Sequence, residues 1–200
     1  LVGLREIEQE RASGNEAIIL YNLISSQAVP ELVTAAGGTA MRTRVGHSFI
    51  KAQMAETNAV FGGEHSAHYY FRDFFFADSG MLAAMHLLAV LGSSDIRLSD
   101  LAAMYTPYVS SGEINSTIAD ADAARARIVK AYVTEGGAGP VTVDEFDGLT
   151  ISHWDTPPRW WFNVRTSNTE PLLRLNVEAA DEDIMIKVRD DVVALIREET

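Results

Sequence analysis

The stretch AVFGGEHSAH, residues 59–68, joins a short apolar run to a segment that carries a carboxylate, a hydroxyl and two imidazoles. The apolar run 59–61 is typical of a buried strand. The two glycines after it let the backbone turn or approach a ligand closely, because they lack a Cβ atom. If the polar segment is extended, Glu64, Ser66 and His68 lie on one face. Their acceptor, donor and titratable nitrogen suit the hydroxyls of a polyol, although solvated polar residues at a strand end have the same composition.

Two further strand and loop pairs precede this stretch. Runs at 17–21 and 39–42 have the character of short strands, and predicted helices separate them. Such alternation is typical of βαβ units and predicts an α/β domain of three layers with a mostly parallel sheet. Ligands of such sheets bind at the carboxyl ends of the strands. The loops 22–25, 43–47 and 63–68 are therefore expected to meet at one edge.

Helical spacing of apolar side chains predicts two helices that face the core. These side chains are Phe49, Ile50 and Met54 in one helix, and Met81, Leu82, Met85, Leu88 and Leu91 in the other. Asp78 or Ser79 is expected to cap the second helix. His86 lies inside it and is interpreted as a structural histidine, not a ligand.

The pattern changes around residues 108–113, and we place a domain boundary there, with residues 1–108 in the first domain and 109–200 in the second. Strands are predicted at 114–118, 147–153, 160–165 and 172–178, and helices at 120–133 and from residue 181 onward. This order predicts a small α+β domain with an antiparallel sheet and two helices.

A second polar loop, RTSNTEP, occupies residues 165–171 between the last two predicted strands. An arginine fork with hydroxyls and turn amides around it is suited to bind phosphate. Ordinary hairpin turns use the same residue types, so the loop alone leaves both interpretations open.

The composition excludes several classes of function. A formal net charge of −12 argues against general binding to nucleic acid or anionic lipid, because both need a basic surface. The absence of cysteine excludes thiolate chemistry and cysteine metal sites and is compatible with a cytoplasmic enzyme. No apolar run is long enough to span a membrane, and the charged segment 1–14 is unlike a signal peptide. The first residue is Leu1, so we expect the chain to be a fragment.

Taken together, the polar loops resemble those of the α-D-phosphohexomutases of the phosphomannomutase/phosphoglucomutase type. Residues 63–68 are similar to the sugar-binding loop of the family's third domain, and residues 165–171 to the phosphate-binding loop of its fourth domain. Residues 45–48 (VGHS) resemble a Thr-Gly-His-Ser element of the third domain, and 70–74 with 78–80 are similar to the phosphomannomutase branch. The resemblance covers nearly all 200 residues.

The resemblance implies roles for individual residues. Glu64 and Ser66 would bind sugar hydroxyls, and Gly46, His47 and His68 would line the same pocket. The two histidines would support proton transfer, for which imidazole is suited near neutral pH. The residues expected to hold the phosphate that is not transferred are Arg165, Ser167, Asn168 and Thr169.

The sequence also departs from the family pattern. Ala67 replaces a common glycine, Val45 replaces a common threonine, and a lysine often found near the end of the first strand has no counterpart at 22–25. The family's phosphoserine and its carboxylate-rich Mg²⁺ loop have no match in the 200 residues, so no metal ligand is predicted in this chain. Mg²⁺ would be bound by the N-terminal half of the same enzyme, which the resemblance implies as a partner.

The function expected from the resemblance is interconversion of hexose 6-phosphate and hexose 1-phosphate through a phosphoserine and a bisphosphate intermediate. The present chain would be the substrate-binding half of that enzyme and would be inactive alone. One alternative is a phosphoglucosamine mutase fragment, although those relatives tend to carry glutamine at the position of His65. A non-catalytic sugar-phosphate binding module is the other alternative.

Overall fold

Helices and strands alternate along the first part of the chain, as the apolar runs of the sequence predict. The computed structural model describes residues 1–136, 139–167 and 170–198, and the chain divides into two units, Leu1–Pro107 and Tyr108–Thr200. The elements of the first unit are α1 (Val2–Ala12), β1 (Ile18–Asn22), α2 (Ala28–Ala35), β2 (Thr39–Thr43), α3 (His47–Thr57), β3 (Phe61–Gly63), β4 (Tyr69–Phe71), β5 (Ala77–Asp78), α4 (Gly80–Gly92) and α5 (Leu98–Tyr105).

The sheet of the first unit has the strand order β2-β1-β3-β4-β5. Strand β1 runs parallel to both β2 and β3, which confirms the predicted parallel core. Strands β4 and β5, which the sequence did not indicate, add to this core in antiparallel orientation and make the sheet mixed. The carboxyl ends of β1, β2 and β3 therefore lie at one edge, and the turn between β3 and β4 lies at the same edge.

Two hydrophobic layers cover the two faces of this sheet. Consecutive residues of β1 point to opposite faces, so Ile19 packs in the layer with α1 and α2, whereas Leu20 packs in the layer with α3. A Cβ atom on Gly62 would lie 2.9 Å from Ile50 Cδ1, so this glycine allows α3 to pack closely against β3. The three-layer α/β architecture predicted from the sequence is confirmed.

Helix α4 differs from the prediction. Met81, Met85 and Leu88 were expected in the core, but they are 74%, 57% and 62% exposed, and Ala83 is the buried residue of the helix. The helix is apolar on nearly every side, so spacing alone could not decide which stripe faces the sheet. Phe49 of α3 is also exposed, and its ring lies 4.7 Å from the Arg44 guanidinium carbon.

Replacing Met85 or Leu88 by glutamate is expected to change the free energy of unfolding of the first unit by less than about 0.5 kcal/mol, because neither side chain loses a buried environment. Urea denaturation of the two variants and the parent chain checks this. A loss of more than about 1 kcal/mol would mean that this face of α4 is covered in solution.

His86 of α4 has the contacts of a structural residue, in agreement with its interpretation from the sequence. Its Nδ1 accepts a hydrogen bond of 3.3 Å from Arg5 Nε, and its ring stacks on Phe71 with 5.6 Å between centroids. Burial, and then the charge of Arg5, lowers the pKa of His86. The ring is therefore held neutral within the packing between α1 and the sheet.

The second unit is an antiparallel sheet with the order β6-β10-β9-β8-β7. Its elements are β6 (Val109–Thr117), α6 (Ala121–Val129), a π-helical turn (Lys130–Thr134), β7 (Thr142–Asp144), β8 (Leu149–His153), β9 (Trp160–Thr166), β10 (Leu172–Ala179) and α7 (Glu182–Arg197). The predicted α+β architecture with two helices is confirmed. Strand β6 begins five residues earlier than predicted, and β7 was not predicted.

Strand β8 begins after Gly148, not at residue 147 as predicted. Gly148 has φ +77°, and a Cβ atom there would lie 2.6 Å from the Val164 carbonyl oxygen, so glycine is required at this turn. Within the described residues, no helix combines the length and the apolar character that crossing a lipid bilayer needs.

Candidate functional site

The polar segment after β3 forms a tight turn, so the extended conformation considered from the sequence is wrong. Glu64 N–H donates to the His68 carbonyl oxygen at 3.0 Å, and Ala67 N–H donates to the Glu64 carbonyl oxygen at 3.0 Å. Ala67 closes the turn with φ +65°, a left-handed conformation that disfavours residues with a Cβ atom. Consequently Glu64, Ser66 and His68 do not share one face: Glu64 is buried, Ser66 is exposed and His68 is half-buried.

Glu64 connects two of the loops that meet at the sheet edge. Its side chain is buried, with 6% of the residue exposed. Its Oε1 accepts the Gly46 N–H at 3.1 Å, and its Oε2 accepts the Tyr70 hydroxyl at 2.8 Å. Both carboxylate oxygens thus have protein donors, and Gly46, which takes φ +132° at the start of α3, is fixed against the turn.

Tyr70 links the Glu64 carboxylate to the His47 ring through two hydrogen bonds. Burial raises the pKa of Tyr70 well above its usual value, and the hydrogen bond to Glu64 and the charge of that carboxylate raise it further, so the phenol keeps its proton. That single proton is donated to Glu64. The second contact of the phenol oxygen, 2.7 Å from His47 Nδ1, therefore requires that His47 donates through Nδ1–H. In the neutral imidazole, His47 Nε2 is then the acceptor.

His68 is held in an equivalent way by Asp78. The distance from His68 Nδ1 to Asp78 Oδ2 is 2.9 Å, and Asp78 Oδ1 accepts the Tyr69 N–H at 3.0 Å. Partial burial by itself raises the pKa of Asp78, but the hydrogen bonds from Tyr69 and His68 and the charges of the imidazoles outweigh it, so the pKa lies below its usual value. An ionised carboxylate can only accept, so His68 donates through Nδ1, and in the neutral imidazole Nε2 is then the acceptor.

The two imidazoles lie side by side at the end of the sheet, with 4.2 Å between ring centroids and 59° between planes. His47 is the first residue of α3, His68 precedes β4, and Asp78 ends β5. Tyr70 and Asp78 were not predicted as site residues from the sequence, which gave Asp78 only as one of two candidates, with Ser79, for the cap of α4. The capping residue is Ser79, whose Oγ accepts the Leu82 N–H at 3.2 Å.

Asn22 ties the loop after β1 to the same edge. The residue is fully buried, and its Oδ1 accepts from Ser25 Oγ at 2.7 Å and from the His65 N–H at 3.4 Å. Its Nδ2 is buried with no hydrogen-bond partner among the described residues. All three loops predicted to meet at the carboxyl ends of the strands are therefore joined by hydrogen bonds.

A cavity of about 680 Å³ lies in the first unit beside this edge. Its lining is mostly apolar and comes from α1, α2, α4 and the sheet, with Ser25, Glu64 and His65 among the few polar residues. Neither His47 nor His68 contributes to the lining. The cavity thus lacks the convergent donors and acceptors of the histidine pair, and we do not assign it to the candidate site.

In the second unit, two arginines share one carboxylate beside the RTSNTEP loop. Arg165 Nη2 lies 3.0 Å from Glu113 Oε2, and Arg174 Nη1 lies 3.2 Å from Glu113 Oε1. Arg165 on β9 and Arg174 on β10 face each other across the strands. Their like charges would repel, and Glu113 on β6 compensates them.

Each arginine of this pair has a buried Nε donor without a partner among the described residues. The Arg165 side chain is only 11% exposed. Arg174 Nη2 also donates to Ser167 Oγ at 3.2 Å. The predicted phosphate-binding residues Asn168 and Thr169 lie outside the described residues. Arg174 and Glu113 were missed, because their pairing joins residues distant in sequence.

Known sequences match both units. Residues 2–108 match phosphoglucomutase/phosphomannomutase, alpha/beta/alpha domain III, and residues 113–195 match the phosphoglucomutase/phosphomannomutase C-terminal domain. A phosphomannomutase of Methanocaldococcus jannaschii is 37% identical over 96% of this chain and 40% of its own length. A phosphomannomutase of Salmonella montevideo is 43% identical over 79% of this chain and 33% of its own length.

A solved structure has the same fold over most of the chain. It is a phosphoglucomutase/phosphomannomutase family protein from Burkholderia thailandensis, with a TM-score of 0.76, 24% identity, and coverage of 98% of this chain and 41% of that one. The present chain thus spans about two fifths of the length of these relatives, or less.

Proposed function

Because the chain belongs to the phosphoglucomutase/phosphomannomutase family, we propose that it is the substrate-binding part of an enzyme that interconverts hexose 6-phosphate and hexose 1-phosphate. The observation that carries the proposal is the histidine pair: His47 and His68 each have Nδ1 held by an oxygen, which leaves two neighbouring Nε2 acceptors at the ligand-binding edge of the sheet. Sugar hydroxyls are the donors that such a pair suits.

Residues 1–108 are assigned to the sugar. His47 and His68 accept from its hydroxyls, and Ser66, exposed in the turn, is available as a donor. Gly46 and Glu64 contribute mainly by fixing the two loops, since both oxygens of Glu64 accept from protein groups. Substrate binding at this edge follows the rule for sheets with a parallel core.

Residues 109–200 are assigned to the phosphate group that is not transferred. The buried arginine fork of Arg165, the hydroxyl of Ser167 and the neighbouring Arg174 supply charge and donors, and Asn168 and Thr169 complete the loop by family resemblance. Glu113 balances the two arginines when no phosphate is bound. A phosphate at this loop would find a charge-compensated, pre-positioned pair of guanidinium groups.

The transfer chemistry itself is assigned to parts of the enzyme outside this chain. A phosphoserine there gives its phosphoryl group to the free hydroxyl of the hexose phosphate, and the bisphosphate formed returns the other phosphoryl group to the serine. Mg²⁺ stabilises negative charge in such transfers. The His47, His68 and Asp78 group does not fit Mg²⁺, which prefers oxygen ligands, so the present residues bind and orient the sugar.

The test is calorimetric titration of the chain with glucose 6-phosphate and mannose 6-phosphate. We expect both compounds to bind, and we expect no interconversion of hexose 6-phosphate and hexose 1-phosphate by the chain. His47→Asn and His68→Asn should each weaken binding about threefold to tenfold, because each removes one neutral hydrogen bond. Asparagine places an amide donor near the Nδ1 position and removes Nε2, so the contacts with Tyr70 and Asp78 are retained.

The matched control is His65→Asn, an exposed histidine in the same turn. Equal losses for His65→Asn and His47→Asn would contradict the assignment of the pair. Turnover by the isolated chain, purified free of host mutase, would contradict the placement of the transfer chemistry outside it. Absence of hexose phosphate binding would contradict the proposed function.

A further inference from the structure

Three side chains at the sheet edge form a cluster of nitrogen and oxygen atoms that could coordinate a metal ion. His47, His68 and Asp78 each offer one ligand atom, and these atoms all lie within 4.8 Å of one another. Two ligands on one Zn²⁺ ion with bonds of about 2.1 Å are separated by about 3.4 Å in tetrahedral geometry. Small side-chain rotations therefore bring the three atoms to coordination distance.

We propose that His47, His68 and Asp78 bind a divalent transition-metal ion, with Zn²⁺ as the best match, and that this ion competes with the sugar. The competition rests on the proposed function, whereas the metal site rests on geometry alone. Two imidazoles and one carboxylate are a ligand set that suits Zn²⁺ and that Mg²⁺ avoids. His47 and Asp78 are exposed, so water can fill the remaining coordination position.

The surroundings of the three residues have the features of a supporting shell around a metal. Histidines that bind metals usually donate their other ring N–H to an oxygen, which fixes the ring and its tautomer. His47 does so to Tyr70, which in turn donates to Glu64. Asp78 is fixed through Oδ1 by the Tyr69 N–H, whereas its Oδ2 contacts His68 Nδ1 and would exchange that hydrogen bond for the ion.

The positions of the ligands in the fold also favour binding. The three come from the start of α3, the end of the β3–β4 turn and the end of β5. Strands β4 and β5 pair directly, with Tyr70 opposite Asp78. The main chain that carries the ligands is therefore largely ordered before the ion arrives, and little conformational entropy is lost on binding.

Titration of the untagged chain with ZnCl₂ in a phosphate-free buffer tests the site. We expect one equivalent of Zn²⁺ to bind, and His47→Asn, His68→Asn and Asp78→Asn each to weaken it at least tenfold. His65→Asn, in the same turn, should leave the affinity unchanged. The visible absorption spectrum of added Co²⁺ provides an independent measure of imidazole coordination in the same variants.

Competition is measured by repeating the glucose 6-phosphate titration with Zn²⁺ present. Failure of Zn²⁺ to bind, or equal losses for His65→Asn and His47→Asn, overturns the metal site. Zn²⁺ binding to the three residues without hexose phosphate binding supports the metal site and contradicts the proposed function instead. Simultaneous, independent binding of both ligands overturns the competition.

Discussion

Replacing Arg165 by methionine is expected to lower the affinity of the chain for hexose 6-phosphate and for inorganic phosphate by about tenfold to a hundredfold. Hydrogen bonds to charged groups contribute about 1.5–3 kcal/mol, and each 1.4 kcal/mol corresponds to a factor of ten. Methionine keeps the apolar stem of the buried side chain and removes only the guanidinium. Calorimetric titration of both ligands measures the change.

Variants of the two units should differ in which ligand they bind more weakly. Glu64→Gln in the first unit is expected to weaken hexose 6-phosphate binding but leave the affinity for inorganic phosphate unchanged, because the Glu64 side chain acts on Gly46 and, through Tyr70, on His47. Arg165→Met should weaken both. If both variants weaken both ligands equally, the assignment of sugar and phosphate to different units is wrong.

Two controls isolate the charge of Arg165. Arg125→Met removes another arginine of the second unit, which pairs with the exposed Glu145 on the surface, and should leave phosphate binding unchanged. The folded state of Arg165→Met is checked by its unfolding transition. Glu113 retains Arg174 at 3.2 Å in this variant, so its carboxylate is not left without a partner.

The sequence predicts those parts of the fold that depend on local information. Most of strand β1 lies in the continuous apolar run 17–21, and such a run marks a strand buried on both faces. Helix α7 begins at an aspartate cap, with Asp181 Oδ1 accepting the Ile184 N–H at 3.0 Å. The strand predicted at 172–178 lies within β10, and its apolar residues Leu173, Leu175 and Val177 are fully buried. Each of these signals lies within a few residues, so the pattern is visible without the tertiary structure.

What the sequence could not predict depends on contacts between distant segments. The exposure of Met81, Met85 and Leu88 depends on which face α4 turns to the sheet, and an almost uniformly apolar helix carries no signal for that. The conformation at Ala67 was missed because a left-handed alanine is unusual.

The candidate site also combines features that local sequence predicts with features that depend on distant contacts. His47 and His68 could be named from the sequence because residues 45–48 and 63–68 resemble loops of the family. Their chemical state depends on Tyr70 and Asp78, which are 23 and 10 residues away from them, respectively. The pairing of Arg165 with Glu113 spans 52 residues. Such pairs emerge only when the strand order is known.

Replacing Tyr70 by phenylalanine is expected to lower the free energy of unfolding of the first unit by about 1–3 kcal/mol, because one oxygen of the buried Glu64 carboxylate loses its donor. The ring itself is fully buried and fits the same space as phenylalanine. Urea denaturation provides the measurement. Tyr69→Phe is the matched control, since Tyr69 neighbours it on β4 and its ring packs instead on Phe61, with 6.2 Å between centroids.

If Tyr70 has only a structural role, Tyr70→Phe lowers stability and changes nothing else. If Tyr70 also positions His47, the substitution changes which nitrogen of the His47 ring is protonated. Without the phenol oxygen, His47 Nδ1 has lost the acceptor that fixes its proton, and the proton can move to Nε2. Long-range ¹H–¹⁵N spectra of the imidazoles report which nitrogen is protonated. We expect His47 to be protonated at Nδ1 in the parent chain and in Tyr69→Phe, and to populate the Nε2–H form in Tyr70→Phe.

The position of the His47 proton also affects hexose 6-phosphate binding. A His47 ring that carries its proton on Nε2 offers the sugar a donor where the proposed contact needs an acceptor, so hexose 6-phosphate affinity should fall about threefold to tenfold in Tyr70→Phe. His47→Gln provides the comparison, because its amide reaches toward the Nε2 position without needing Tyr70. If Tyr70→Phe loses stability but keeps both the tautomer and the affinity, Tyr70 only fills the core, and the polar chain from Glu64 to His47 has no part in binding.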